Sequence, residues 1–219
     1  MDGNRRWARA RGLRSPSDGH RQGAGHIENL LTWCTSREIE HLSAYVLSAD
    51  NIRKRSAVEI GFLFSLIADV LPDLVERAGR WSLHIAGDLD LLPTAAARAL
   101  KDAEERTRER SSHLTLAIGY DGRDDIVAGI RGALLAGAAN PAHGLDPESI
   151  TAHLAGGPVK DIDLVIRTSG EQRLSGFFPW QTAHSEVFVS PKLWPDFTEH
   201  DFELALDHYA VAAGRARPA

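Results

Sequence analysis

The sequence predicts an α/β fold, with one mostly parallel central sheet flanked by helices in a single domain covering residues 1–219. Two observations carry this. Short apolar runs alternate with longer segments of helical period, and helices of a dozen or more residues between strands demand crossovers and parallel pairing. The strand-like runs are His41–Leu47, Trp81–Ala86, His113–Ile118 and Ile162–Ile166, with a further one at Glu186–Val189. The helical stretches fall at about 21–36, 56–78, 93–108, 123–136, 146–155 and 199–213. Ser56, Pro93-Thr94 and Asp146-Pro147-Glu148-Ser149 supply helix-start signals. Segment 137–145, rich in Ala, Gly, Asn and Pro, reads as a loop inside the domain.

Composition narrows the function classes. At 43% hydrophobic and 25% charged, the chain fits an ordinary soluble globular protein. A net charge of −5 argues against a general nucleic-acid binder. No apolar run approaches the ~20 residues of a membrane span, and no signal-peptide pattern opens the chain, so membrane contact is expected to be peripheral at most. The single cysteine, Cys34, excludes an internal disulfide framework and suits the cytoplasm. With Leu30, Leu31 and Trp33 nearby, it is expected to be a packed core thiol.

Three constellations carry chemistry. The first is Asp2-Gly3-Asn4-Arg5-Arg6-Trp7, with Gly19-His20-Arg21-Gln22-Gly23 further on. Gly3 permits close backbone approach, a helix start aims N–H groups at an anion, and an aspartate beside that anion makes sense with Mg²⁺ between them. The second follows an apolar strand: Ser48-Ala49-Asp50-Asn51-Ile52-Arg53-Lys54-Arg55. The third caps the run Leu164-Val165-Ile166 with Arg167-Thr168-Ser169-Gly170-Glu171-Gln172-Arg173-Leu174-Ser175. A buried-type strand there delivers two arginines to the carboxyl edge of a sheet, where open parallel sheets place ligands. The planar fork of arginine matches phosphate oxygens, so a diphosphate site is expected. Each constellation also has a plainer reading. These are a solvated amino-terminal tail, a Ser/Asp/Asn turn with a basic run, and pairing of Arg167 and Arg173 with acids such as Glu171 and Glu186. The sequence has no Walker loop, no G-x-G-x-x-G after a strand, no zinc-spaced Cys/His set and no G-x-S-x-G elbow.

In this order, the three constellations resemble the cis-prenyltransferases, the family of undecaprenyl diphosphate synthase and the short-chain Z-prenyl diphosphate synthases. The similarity covers nearly the whole chain and includes Gly119-Tyr120-Asp121-Gly122-Arg123 and Leu193-Trp194-Pro195-Asp196-Phe197. It implies a homodimeric enzyme that condenses isopentenyl diphosphate with an allylic diphosphate in the presence of Mg²⁺. The resemblance makes Asp2, His20, Ser48 and Asn51 the catalytic set. Gly3, Asn4, Arg6 and Trp7 become the allylic diphosphate loop, and Arg167, Arg173 and Ser175 the isopentenyl diphosphate site. Asp2 and Glu186 are the metal ligands it suggests.

Several positions depart from the family pattern. An apolar strand usually precedes the Asp-Gly-Asn loop; none stands ahead of Asp2, so either the natural start lies upstream of Met1 or the sheet is one strand short, and the expectation is the upstream start. Asp50 and Ile52 replace Glu and Trp, and the run Arg53-Lys54-Arg55 leaves the family's basic position open. Pro16 stands where an arginine is common, and Pro179 and His184 replace Leu and Tyr. Arg215-Ala216-Arg217 replaces a closing Arg-Phe-Gly linked to the dimer partner. Val46 fills a place where long-chain members carry a small residue, adding ~50 Å³ over alanine to a close-packed wall. The other candidates for the wall of an apolar tunnel are Ile60, Phe62, Leu63, Leu66 and Val70, each also explicable as ordinary helix core. The expectation is a short C10–C20 product. The altered Asp50 and Ile52 also admit irregular coupling of two allylic diphosphates, and a non-catalytic partner subunit is the third reading.

Overall fold

In a computed structural model that describes residues 1–139 and 145–214, the chain opens with helices α1 (Asn4–Ala10) and α2 (Pro16–Ser36). Strand β1 (His41–Ser48) follows, then α3 (Ala49–Lys54), α4 (Ala57–Asp69), α5 (Leu71–Arg77) and β2 (Trp81–Ala86). Next come α6 (Thr94–Thr107), β3 (Ser112–Tyr120), α7 (Gly122–Ala139) and α8 (Pro147–Ala152). The chain then runs through β4 (Leu164–Arg167), β5 (Glu186–Val189) and α9 (Glu199–Ala212). Arg215-Ala216-Arg217 and part of segment 137–145 lie outside the described residues.

Local chemistry accounts for the boundaries. Ser15 accepts from the Ser17 N–H, with Pro16 behind it at the first helical position, so α2 starts five residues before the periodic run suggests. The stretch expected as one helix over 56–78 is two. Pro72 lacks the N–H that would continue α4, and the chain restarts as α5 around it. Helix α3 was expected only as a turn; Ser48 accepts the Asn51 N–H at 3.0 Å and converts that turn into a helix start. Helix α7 continues to Ala139, three residues into the stretch expected as a loop.

Strand β3 lies between β1 and β2, and both pairings are parallel. Leu114, Leu116, Ala117 and Ile118 are completely buried, as a central strand covered on both faces requires. The main core joins these strands to α2, α4, α5 and α6, with Trp81, Leu100 and Val75 fully inside. Cys34 sits in this core, and burial pushes its thiol up to about 12.

The sheet is not continuous. Strands β4 and β5 form a separate parallel pair. Between β1 and β4 lies a slot of about 360 Å³, lined by His41–Tyr45 on one side, by residues 161–168 on the other, and by Met1. Helix α1 is held against α2 by glycine: a Cβ on Gly19 would fall 2.1 Å from the Asn4 carbonyl oxygen, and one on Gly23 2.3 Å from Asn4 Oδ1. That close approach sets the Asp2-Gly3-Asn4 turn beside the strand ends.

Candidate active site

The carboxyl ends of β1, β3 and β4 open into one polar cavity of about 670 Å³. Parallel strands end there with backbone and loop groups that no further pairing claims, which explains the location. Asp2, Gly3, Asn4, Arg6, His20, Ser48, Asn51, Arg167, Arg173 and Ser175 all line it. The first and last thirds of the sequence therefore meet.

Asp2 is well anchored although it is the second residue. Its N–H donates to Thr168 Oγ1 at 2.9 Å, and its carbonyl accepts from the Trp194 N–H at 2.9 Å. Its carboxylate takes Arg167 Nη2 at 3.0 Å and Ser169 Oγ at 3.3 Å on Oδ2, while the Gly3 N–H donates to Oδ1 at 2.6 Å. Gly3 sits at φ 103°, a left-handed turn where a Cβ would strike Leu193. The Met1 amine is pushed down to about 6 by burial and by the charge of Arg167, against the pull of Asp2.

The loop after β4 is tied by its backbone. Ser169 N–H donates to the Lys192 carbonyl at 2.6 Å and Gly170 N–H to that of Ser190 at 2.9 Å. Ser169 and Ser175 adopt φ of 76° and 53°, strain of a kind that gathers at binding sites. The Arg167 guanidinium is mostly enclosed, and its Nε is buried with no hydrogen-bond partner among the described residues. Arg173 pairs with Glu171, as the plainer reading expected, and Glu171 also receives Arg6 at 3.5 Å. Arg167 pairs with Asp2 and not with Glu186.

At the end of β1 the register slips. Tyr45 faces Ala117 and Leu47 faces Ile118, so Val46 is an extra residue; Gly119, at φ 63°, is its counterpart on β3. The bulge brings Tyr45, Val46, Leu47 and Ser48 all to the cavity. Leu63 joins Val46 there, whereas Ile60 belongs to the core, Leu66 is buried, and Phe62 lies under the Arg21 guanidinium. Val70 marks the junction of α4 and α5. Ile52 packs on the core, and Asp50 lies at the rim of the cavity, paired with Lys54 at 2.9 Å.

The three basic residues of Arg53-Lys54-Arg55 part ways in the structure. Arg55 turns to the cavity, Lys54 pairs with Asp50, and Arg53 is exposed. Arg55 reaches a residue the sequence reading did not single out, Glu59, which also meets His20 and Arg5. Burial works to raise the Glu59 pKa, but the His20 hydrogen bond and the charges of Arg55 and Arg5 bring it below the usual range. Burial lowers His20, only partly opposed by Glu59. The signal for Glu59 was present as Arg55 at i−4, but Ser56-x-x-Glu59 also reads as a capping box. Tyr45, Tyr120 and Asp121 line the cavity as well; Tyr120 and Asp121 stand in the family pattern, but none of the three was expected as a site residue.

Two expected site residues lie elsewhere. Trp7 points to the closing Leu193–Phe197 segment, donating from Nε1 to Asp196 Oδ1 at 2.8 Å, with Arg11 over its ring. It is a strut between α1 and the carboxyl-terminal region. Glu186 is in register with Leu164, while Arg167 pairs with Val189. At ~3.3 Å per residue, Glu186 lies roughly 10 Å along the strand from the Arg167 end, at the opposite edge. Glu186 is not among the residues that line the cavity with Asp2, and no cluster of three or more His, Cys, Asp or Glu suited to a metal occurs among the described residues. A lone carboxylate beside a phosphate site still fits Mg²⁺, which keeps several waters and takes much of its coordination from substrate phosphates. Of the other departures, Pro16 starts α2, Pro179 packs on Gly122, and His184 is exposed.

A parallel sheet with a cationic, aspartate-bearing cavity at its carboxyl edge is the architecture of an enzyme acting on an anionic substrate, and comparison with known proteins supplies the class. Residues 1–216 match the family model Prenyltransf, undecaprenyl diphosphate synthase. The chain belongs to this family and is a cis-prenyltransferase. It is 44% identical to an isoprenyl transferase of Streptomyces fradiae over 98% of this chain and 87% of the relative. It is 42% identical to the (2Z,6E)-farnesyl diphosphate synthase of Mycobacterium tuberculosis over 96% of this chain and 82% of that protein. Among solved structures it resembles lavandulyl diphosphate synthase from Lavandula x intermedia in complex with dimethylallyl diphosphate. The TM-score is 0.88 at 32% identity, covering 100% of this chain and 94% of that one.

Proposed function

We propose that the chain condenses isopentenyl diphosphate with a short allylic diphosphate, releasing diphosphate and forming a short-chain (C10–C20) Z-prenyl diphosphate. The observation that carries this reading is the single cavity that gathers Asp2, Arg6, His20 and Arg55 with Arg167, Arg173 and Ser175. The relatives named as Z-farnesyl diphosphate synthases support the short product, as does Val46 on the cavity wall.

In this reaction the allylic C–O bond weakens as positive charge grows on carbon, the double bond of isopentenyl diphosphate attacks that carbon, and a proton leaves the acceptor. Gly3, Asn4 and Arg6 grip the departing diphosphate, and their preorganised charge and N–H groups stabilise it as it leaves. Mg²⁺, held by Asp2 with the phosphates, would add Lewis-acid stabilisation of the same group. Arg167, Arg173 and Ser175 hold isopentenyl diphosphate so that its double bond faces the allylic carbon, lowering the entropic barrier. Ser48 and Asn51 orient the reacting carbons from the other side. Ser48 accepts the Asn51 N–H and its hydroxyl is also hydrogen-bonded to Tyr45, so it is held at the cavity wall. His20 stands beside the allylic diphosphate. The protein works as a homodimer in the cytoplasm; the exposed Leu134 and Leu135 of α7 give two copies an apolar surface to share.

A second reading, irregular coupling of two allylic diphosphates, is favoured by the likeness to lavandulyl diphosphate synthase and by Asp50 and Ile52. Product analysis with dimethylallyl, geranyl and farnesyl diphosphates, each with and without isopentenyl diphosphate, separates the two. The expected result is product only when isopentenyl diphosphate is present, no longer than C20. Coupled product from dimethylallyl diphosphate alone would favour the second reading, and chains of C50 or longer would overturn the short-product assignment.

A further inference from the structure

Around Glu59, side chains from three elements converge. His20 of α2 brings Nε2 to 3.1 Å from Oε1, and Arg55, at the end of α3, donates from Nη1 to the same oxygen at 2.8 Å. Arg5 of α1 donates to Oε2 at 3.4 Å. The Glu59 side chain is only 13% exposed and stands behind the three residues, which themselves line the cavity. Its position one turn into α4 would let it fold back and close a capping box with Ser56. Only half of that box forms: Ser56 Oγ accepts the Glu59 N–H at 3.3 Å, and the carboxylate goes to the cations.

The shorter contact selects a tautomer. Oε1 of the carboxylate can only accept, so the 3.1 Å contact from His20 is a donation from Nε2–H, whereas Arg55 Nη1, which also lies near Nε2, is 3.5 Å away and donates to Oε1 at 2.8 Å instead. A neutral imidazole then keeps its lone pair on Nδ1. The same carboxylate offsets the repulsion between two guanidiniums that both reach it.

Resting on the reading of this cavity as a diphosphate site, we propose that Glu59 is a positioning residue: it holds His20 in the Nε2–H form and sets Arg5 and Arg55 together for the oxygens of the allylic diphosphate. Without its charge, the arginines separate and the imidazole is free to take either tautomer.

Glu59→Gln keeps the volume and removes the charge. In the folded variant, checked by circular dichroism, calorimetric titration with inorganic diphosphate and Mg²⁺ is expected to show about 10-fold weaker binding, the scale of one charge-assisted contact. KM for the allylic diphosphate rises by a similar factor while KM for isopentenyl diphosphate stays nearly constant. Glu59→Asp recovers part of the loss. The ¹⁵N shifts of the His20 ring, assigned against His20→Gln, report Nε2–H in the wild type and a mixture in Glu59→Gln. Unchanged diphosphate affinity in the folded variant overturns the proposal, and so does a wild-type His20 carrying its proton on Nδ1. The second test needs only the wild type and stands even where Glu59→Gln does not fold. If the wild type converts no prenyl diphosphate, yet Glu59→Gln loses diphosphate affinity and the single tautomer, the substrate reading falls and the positioning role stands.

Discussion

Loop 168–175 and the His20–Glu59–Arg55 cluster share one cavity, yet they hold their cations in opposite ways. In the loop, backbone bonds to Ser190 and Lys192 fix the main chain, while Arg173 stays 68% exposed and its partner Glu171 sits on the same loop. In the cluster, Arg55 is 20% exposed and meets a Glu59 carboxylate that is itself enclosed. An exposed pair contributes little and is readily exchanged for a ligand. An enclosed pair is costly to break, because the surviving charge is left unsolvated. On the proposed reading, the loop is therefore built to hand Arg173 to an incoming diphosphate, and the cluster to present a fixed surface to one. Asp2 belongs to both, since it accepts Arg167 and lies on the turn that carries Arg5 and Arg6.

That shared position makes Asp2→Ala the most damaging change. Turnover is expected to fall by at least about 1,000-fold, the scale of losing a principal electrostatic element at a charged transition state. Circular dichroism should show an intact fold, and near-normal activity in steady-state assays would sink the role assigned to Asp2. Arg173→Ala tests the exchangeable side of the contrast. It should raise KM for isopentenyl diphosphate by about 10-fold, as expected for one charge-assisted contact, with melting temperature nearly unchanged. A large loss of stability instead would mean that the Arg173–Glu171 pair is structural. Trp7→Phe probes the strut outside the cavity. Losing the bond to Asp196 should cost about 1 kcal/mol of stability by chemical denaturation, with both KM values close to wild type.

The smallest effect is in pH. Burial lowers His26 below 6.5, against the Phe197 carbonyl and Asp196, and burial also lowers His84 and His113, reinforced by charge on neighbouring histidines. Each binds its proton less readily folded than unfolded. Their contribution to stability is thus complete above pH 6.5 and declines as pH falls through 6.5 toward the folded values. Melting temperatures from pH 8 to 5 should decline on the acid side, and His26→Gln should flatten part of that slope. A profile unaffected by His26→Gln would contradict it.

How far the sequence could be read depended on the range of the interaction. Strands Trp81–Ala86 and Glu186–Val189 were legible to the residue because apolar runs and flanking turn residues are local. The break between α4 and α5 was also legible in principle, since Pro72 marks it; the apolar period on either side hid it. The place of Trp7 was not legible because its position in the motif says nothing about Asp196, 189 residues away. The place of Glu186 was not legible because register decides which end of a strand a residue reaches, and register is set by pairing with Leu164. Glu59 was missed because its spacing satisfies two local rules at once.

The sequence by itself determined the strands, the longer helices and their order, and it singled out Asp2, His20, Arg167 and Arg173, which come to one cavity. Periodicity, turn chemistry and the fork of arginine are properties of short segments, so they survive without a structure. Only the tertiary structure decided that the sheet divides between β1 and β4, that Arg55 and not Lys54 faces the cavity, and which acid partners each cation. Those outcomes depend on which long-range surfaces pack together, and a side chain chooses its partner only after the backbone has brought the candidates within reach.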